Sequence, residues 1–233
     1  MHKEKLEDIG EKELINRLGK FMPKNQVSDD CALIKTRNDN LLINNDSLVE
    51  NVHFNEYTIC PRDLGWKAVV SNISDLLSSG SKKTIGITIS LILPAKTEWV
   101  WVEELYKGIN KALKKYGGII LGGDCSKGSQ KTISITAFGI QGELELKRNA
   151  CKPGDIILTT GIHGLSKLGF MINNKVDFDN LATNTNINYE NYFSMSEAIL
   201  SDCKRNYPAL ELIDLVSPIG KGQRSLIISP PPI

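Results

Sequence analysis

Apolar residues recur along this chain with two distinct periods. Between positions 10 and 21, Leu14, Ile15, Leu18 and Phe21 fall three and four apart, which predicts an amphipathic helix closed by Met22-Pro23. Two short apolar runs, 31–35 and 41–44, flank the polar stretch Thr36-Arg37-Asn38-Asp39-Asn40 and predict a β-hairpin. Pro61 at a first helical turn, Asp63 beside it, and the stripe Leu64, Ala68, Val69, Ile73, Leu76 and Leu77 predict a strongly buried helix ending near Gly80. Residues 84–93 alternate, placing Ile85, Ile87, Ile89 and Leu91 on one face of a strand. A third helix starts at Thr97 and Glu98, turns Val102, Leu105, Tyr106, Ile109 and Leu113 inward and ends at Gly117-Gly118. Strands resume at 118–121 and 132–140; in the latter, Ile133, Ile135 and Ala137 alternate with Thr132, Ser134 and Thr136.

The order ββαβαββ predicts an α+β fold, a mixed sheet backed by helices, and argues against a doubly wound parallel sheet. Cys151-Lys152-Pro153-Gly154-Asp155 reads as a boundary turn. Residues 1–150 are therefore expected to form an N-terminal domain and 151–233 a partial α/β second domain. The latter opens with a strand at 156–160 and a glycine-punctuated turn into a helix. An Asn- and Asp-rich loop at 173–192 and one more helix at 194–205 follow, and periodicity is lost after Pro208.

Composition narrows the function classes. Hydrophobic residues at 41% and charged residues at 24% describe an ordinary globular protein of 233 residues. Its 28 Lys+Arg against 27 Asp+Glu leave a net charge of +1, without the basic surplus of a nucleic-acid binder. No apolar run approaches the roughly 18 residues of a bilayer span. The N-terminus, with Lys3, Glu4, Lys5, Glu7 and Asp8, has no apolar leader, so a cytoplasmic location is expected. Cys31, Cys60, Cys125, Cys151 and Cys203 are scattered, with no C-x-x-C pair, and read as free thiols.

The candidate chemistry is carboxylate chemistry. Asp29-Asp30 precedes a predicted strand, Asp46 follows one, Asp75 lies inside the buried second helix, and Asp124 follows Leu121-Gly122-Gly123. An ionised Asp75 among Ile73, Leu76 and Leu77 costs several kcal/mol unless it is paired or bound to a cation. Converging carboxylates are the usual ligands of hard divalent ions, although each taken singly also suits a helix cap or a turn. Gly122-Gly123-Asp124 could let backbone approach a phosphate while the aspartate holds its metal. Gly220-Lys221-Gly222 lacks the spacing and hydroxyl of a Walker loop. His53, between Val52 and Phe54, suits a structural role as well as a functional one, and no Ser/His/Asp spacing suggests a nucleophile.

Several strings taken together resemble the thiamine-monophosphate kinase family. They are Ser28-Asp29-Asp30-Cys31-Ala32, Asn45-Asp46-Ser47-Leu48-Val49-Glu50-Asn51-Val52-His53-Phe54, Pro61-Arg62-Asp63-Leu64-Gly65-Trp66-Lys67-Ala68, Asn72-Ile73-Ser74-Asp75-Leu76, Gly122-Gly123-Asp124 and Lys147-Arg148-Asn149-Ala150-Cys151-Lys152-Pro153-Gly154-Asp155. The resemblance runs over about residues 8–170, and the D-x-L-V-E-x-V-H-F and D-L-G-W-K-A strings separate it from other members of the aminoimidazole-ribonucleotide synthetase superfamily.

The resemblance implies ATP-dependent, Mg²⁺-assisted phosphorylation of thiamine monophosphate to thiamine diphosphate. It implies Asp29, Asp46, Asp75 and Asp124 as metal ligands, with Asn44 and Asn45 standing where the family commonly carries Ser or Thr. It implies Tyr106, Gly123, Asp124 and Arg148 as nucleotide contacts and His53 as a substrate contact. Asp46, Asp75 and Arg148 are the expected catalytic groups, and a homodimer built through the N-terminal sheets is the expected assembly. Departures are Ser28 for a glycine, the Asn44-Asn45 pair, and the absence from this chain of the family's D-x-S-D-G-L and G-G-E-D-Y strings. Residues 216–233 do not resemble the family, which fits a truncated product. A non-catalytic remnant that binds Mg²⁺-nucleotide, and a sister ATP-dependent synthetase, are the alternatives; Val52-His53-Phe54 speaks against the latter.

Overall fold

The computed structural model describes residues 4–24 and 29–153. Its elements are α1 (Leu6–Leu18), β1 (Ala32–Ile34), β2 (Leu41–Val49), α2 (Pro61–Ser78), β3 (Ser81–Leu93), α3 (Trp99–Tyr116), β4 (Ile119–Lys127) and β5 (Thr132–Gln141). The strands form one sheet in the order β1-β2-β5-β3-β4. All neighbours are antiparallel except β3 and β4, which run parallel because α3 carries the chain back between them. The expected mixed sheet backed by helices is the observed fold; the expected second domain lies outside the described residues.

Strand register decides which residues meet the helices. The rows Asn44–Ala137–Ile87–Ile120, Asp46–Ile135–Ile89–Gly123 and Leu48–Ile133–Leu91–Cys125 run across β2, β5, β3 and β4. Most of their apolar members are buried under α2 and α3, against Leu64, Val69, Ile73 and Leu76 from one helix and Leu105, Ile109 and Leu113 from the other. Alternate rows, such as Ser47–Ser134–Ser90–Asp124 and Asn45–Thr136–Thr88–Gly122, lie on the face that no described helix covers.

The two helices touch backbone to backbone. A Cβ at Gly65 would stand 2.0 Å from the Leu105 carbonyl oxygen, and one at Gly108 would stand 1.8 Å from that of Arg62. Only hydrogen at both positions allows this approach.

Four local expectations change. The first helix starts at Leu6 and kinks at Gly10 (φ 71°), and no residue in it is buried, so its apolar stripe is not a core face among the described residues. β2 continues through Asn45 to Val49, although Asn, Asp and Ser are poor strand formers, because pairing with β5 along its whole length overrides propensity. In β3, register shifts around Ser81–Gly86 put Thr84 rather than Ile85 in the interior, since a bulge changes which side chains face inward. Gly122-Gly123-Asp124 lies within β4 instead of forming a loop after it.

Candidate active site

The helix-facing side of β2 and the middle of α2 meet in a buried polar cluster. Asn44 on β2 and Asn72, Ser74 and Asp75 on α2 are all buried, with Asp75 only 3% exposed. Asn72 and Asp75 stand three apart on α2 and so present to the same side. The Asn44 amide donates to Asp75 Oδ2 and to Asn72 Oδ1, each at 3.2 Å. Asn72 Oδ1 also accepts the Asp46 backbone N–H at 3.2 Å, while its own amide donates to the Ala68 carbonyl at 2.9 Å. Cys31 Sγ donates to the Asp75 carbonyl at 3.3 Å, tying the start of β1 to the same turn of α2.

One oxygen in this cluster has no protein partner. Asn44 Oδ1 is buried and accepts no hydrogen bond, a cost of order 1–3 kcal/mol for a neutral group. An unsatisfied amide oxygen beside a buried carboxylate is the donor set of a hard divalent cation, so these residues fit Mg²⁺. Asn44 and Asp75 are the residues of this cluster that would hold such an ion, with Asp46 adjacent along β2.

The remaining candidates divide into separate places. Asn45, one residue from Asn44, points to the opposite face of the strand, where its amide donates to the Ile135 carbonyl at 3.0 Å and Thr136 Oγ1 at 2.9 Å. Asp29 Oδ1 accepts the Arg148 backbone N–H at 2.9 Å, and the Arg148 guanidinium forms a forked pair with Asp30. Segments 119 residues apart are thereby joined, and Arg148 stands next to Asp29 and Asp30. Asp124 is exposed, accepts from Ser126 Oγ at 2.8 Å, and shares a row with Ser90 on the open face of the sheet.

Asp46 and Gly123 lie in one row separated by β5 and β3. With strands about 4.8 Å apart, three steps amount to roughly 14 Å, far more than one ion can bridge. The described aspartates therefore do not gather around a single point. Among the described residues, no three His, Cys, Asp or Glu side chains form a metal-binding group.

Tyr106 faces the side of the sheet where β4, the strand that carries Gly123, lies. Cys125, on the helix-facing row, lies near Tyr106, and burial, helped by that thiol, holds the Tyr106 phenol above its ordinary pKa. Gly123 (φ 158°) allows β4 to lie against β3, since a Cβ there would be 1.9 Å from the Ile89 carbonyl oxygen. His53 sits in the loop after β2, exposed. Its Nδ1 accepts the Val49 N–H at 3.1 Å, which leaves the Nε2 edge turned outward.

Asn72 was legible only as part of a motif string; its spacing from Asp75 on one helix face was the available signal. Lys131, at the entry to β5, carried no sequence signal at all. The described cysteines, Cys31, Cys60, Cys125 and Cys151, are free, and no described helix is long and apolar enough to cross a membrane.

Comparison with known proteins places this geometry. Residues 28–141 match the family of the AIR synthase related protein N-terminal domain. The thiamine-monophosphate kinase of Prochlorococcus marinus is 53% identical over 167 residues, 72% of this chain and 50% of that protein. The kinase of the same name from Synechococcus elongatus is 37% identical over 166 residues, covering 70% of this chain and 50% of that one. Among solved structures, AaThiL complexed with AMPPCP and TMP superposes with a TM-score of 0.69 at 30% identity, covering 76% of this chain and 57% of that chain. The chain spans about half the length of the relatives it matches. By its sequence strings, its sheet order and these likenesses, the chain is similar to the thiamine-monophosphate kinases over about half their length and matches the AIR synthase related N-terminal domain across residues 28–141.

Proposed function

We propose that this chain supplies the nucleotide- and metal-binding half of an ATP-dependent kinase that phosphorylates thiamine monophosphate to thiamine diphosphate. The observation that carries this reading is the buried Asn44–Asp75 pair with an amide oxygen left without a protein donor. Support comes from the relatives' name and from the AMPPCP and TMP bound to AaThiL.

The acceptor is itself a phosphate, ionised at neutral pH, so it needs little general-base help; positioning and charge neutralisation supply the rate. Asp75, Asn44 and Asp46 would hold one Mg²⁺, and Asp29 and Asp124 would serve different ions. Bound there, Mg²⁺ neutralises polyphosphate charge. Arg148 already presents its planar fork to the Asp30 carboxylate, and a phosphate offers the same pair of oxygens. Tyr106 and the Gly123 backbone line the nucleotide end, and His53 Nε2 faces the acceptor.

In this reading residues 1–150 form the ATP- and Mg²⁺-binding and dimerisation domain, and 151–233 belong to a second domain. The Ser- and Thr-rich open face of the sheet pairs with a second copy, and the enzyme works in the cytoplasm. Calorimetric titration of the purified chain with Mg²⁺-AMPPCP, with a coupled assay for thiamine diphosphate, tests the reading. Micromolar nucleotide binding that requires Mg²⁺ is expected. Absence of any nucleotide binding would remove the proposal, and binding without turnover would restrict it to a binding module.

A further inference from the structure

The loop that carries His53 is exposed and short of apolar anchors: Asn51, Val52 and His53 face solvent, and Tyr57 is 91% exposed. It is nevertheless held at several points. Phe54 is buried, Asn51 takes a left-handed conformation (φ 62°), and the His53 N–H donates to the Val49 carbonyl at 2.8 Å. Outside these turns the loop is gripped by one ammonium. Lys131, at the entry to β5 and only 8% exposed, places Nζ 2.7 Å from both Glu50 Oε1 and Glu56 Oε1. Those carboxylates stand three residues before and three residues after His53.

The grip is reinforced from both strands and from α3. The Lys131 N–H donates to Glu50 Oε2 at 3.2 Å, the Glu50 N–H returns a bond to the Lys131 carbonyl at 2.9 Å, and the Gln130 amide donates to the Glu50 carbonyl. Lys131 Nζ also lies 5.5 Å from the centre of the Trp101 ring. A buried lysine with two carboxylates is an expensive arrangement for mere solubility. Nothing in the chemistry above uses it.

We propose that Lys131, acting through Glu50 and Glu56, is a positioning residue for His53 and so sets affinity for the phosphorylated acceptor without touching it. This rests on the reading that His53 contacts that acceptor. Glu56, largely exposed, is the useful handle, because its loss opens one arm of the grip while leaving the core intact.

In the full chain, Glu56→Gln should speed hydrogen exchange of the Val49 amide, which His53 Nδ1 protects, by about tenfold. The same variant should weaken thiamine monophosphate binding, measured with Mg²⁺-AMPPCP present, by about fivefold, with Mg²⁺-AMPPCP affinity and Tm unchanged. Lys131→Arg should retain most of the Val49 protection and of the acceptor affinity, and Lys131→Met should exceed Glu56→Gln in the direction of loss. Unaltered Val49 exchange in Glu56→Gln overturns the positioning role. Equal weakening of both ligands overturns it too, as does a Glu56→Gln effect that persists in full on a His53→Ala background. If Val49 exchange responds but His53→Ala leaves acceptor binding untouched, the fault lies with the reading of His53, and the link to acceptor affinity falls with it.

Discussion

The Asn44 amide nitrogen on β2 lies 3.2 Å from Asp75 Oδ2 on α2, in the interior, where the Asn44 oxygen accepts nothing. Strand and helix thus present a neutral donor and a charged acceptor to one another across the sheet–helix boundary. An amide turned about its terminal bond would offer oxygen in place of nitrogen, the atom that a cation held by Asp75 would need.

Asp75→Asn removes the charge that a cation needs. The wild-type chain should gain about 2.7 kcal/mol of stability at a Mg²⁺ concentration one hundred times its Kd, seen as a rise in Tm. The variant should show almost none of that gain while being no less stable in chelator. A full Mg²⁺-dependent shift in Asp75→Asn would show that the carboxylate is not a ligand.

Asn72→Ala strips the acceptor from two donors, the Asn44 amide and the Asp46 backbone N–H. Leaving buried groups unpaired should cost about 1–3 kcal/mol, read as a lower urea midpoint at constant m-value. A variant as stable as the parent would mean that water reaches this cluster.

Gly108→Ala forces a methyl against the Arg62 carbonyl at the helix crossing. Overpacking of this kind should cost about 1–3 kcal/mol, whereas Asn110→Ala, on the exposed side of α3, should change stability by less than about 0.5 kcal/mol. Similar Tm values for the two would contradict the close approach of α2 and α3.

The Lys131–Glu50 pair has two pH edges. The hydrogen bond from Lys131 outweighs burial and holds the Glu50 carboxyl below its ordinary 4.5, so its stabilisation is present above that value and is lost as pH falls through the lowered one. Burial opposes the charge on Lys131, but the bonds to Glu50 and Glu56 overcome it and raise the ammonium above its ordinary 10.5. Its contribution is complete below 10.5 and disappears as pH rises through the raised value. Lys131→Met should remove both edges from a plot of stability against pH, and unchanged edges would assign them to other groups.

Ser134 faces Ser47 across the open side of the sheet, hydroxyl to hydroxyl at 2.8 Å. If that face pairs with a second copy, Ser134→Lys should convert a dimer to a monomer in light scattering. A wild-type chain that is monomeric at tens of micromolar, or a dimer indifferent to Ser134→Lys, would exclude this surface.

Much of the architecture could be read directly from spacing. The second and third helices, with Ile73 and Ile109 on their inner stripes, and the alternation of Ile133, Ile135 and Ala137 followed from periodicity, because burial of one face imposes a repeat of 3.6 or 2 residues. Asp75 stood out because a carboxylate inside an apolar stripe is costly anywhere in a helix. The second half of β2 was hidden, since Asn45, Asp46 and Ser47 carry turn-like chemistry. The inward placement of Thr84 over Ile85 was hidden as well, since a bulge leaves no mark in composition.

What the chain determines by itself is therefore local: which segments coil or extend, which face of each is apolar, and which polar residues are out of place. Tertiary structure alone decided that Asn44 and Asn45 face opposite sides of the sheet, that Arg148 returns to Asp29 and Asp30, and that Asp124 lies three strands from Asp46. It also decided that one lysine at the entry to β5 grips both flanks of the His53 loop. Such relations depend on strand order and register, which arise from packing between segments distant in sequence, and no local pattern encodes them.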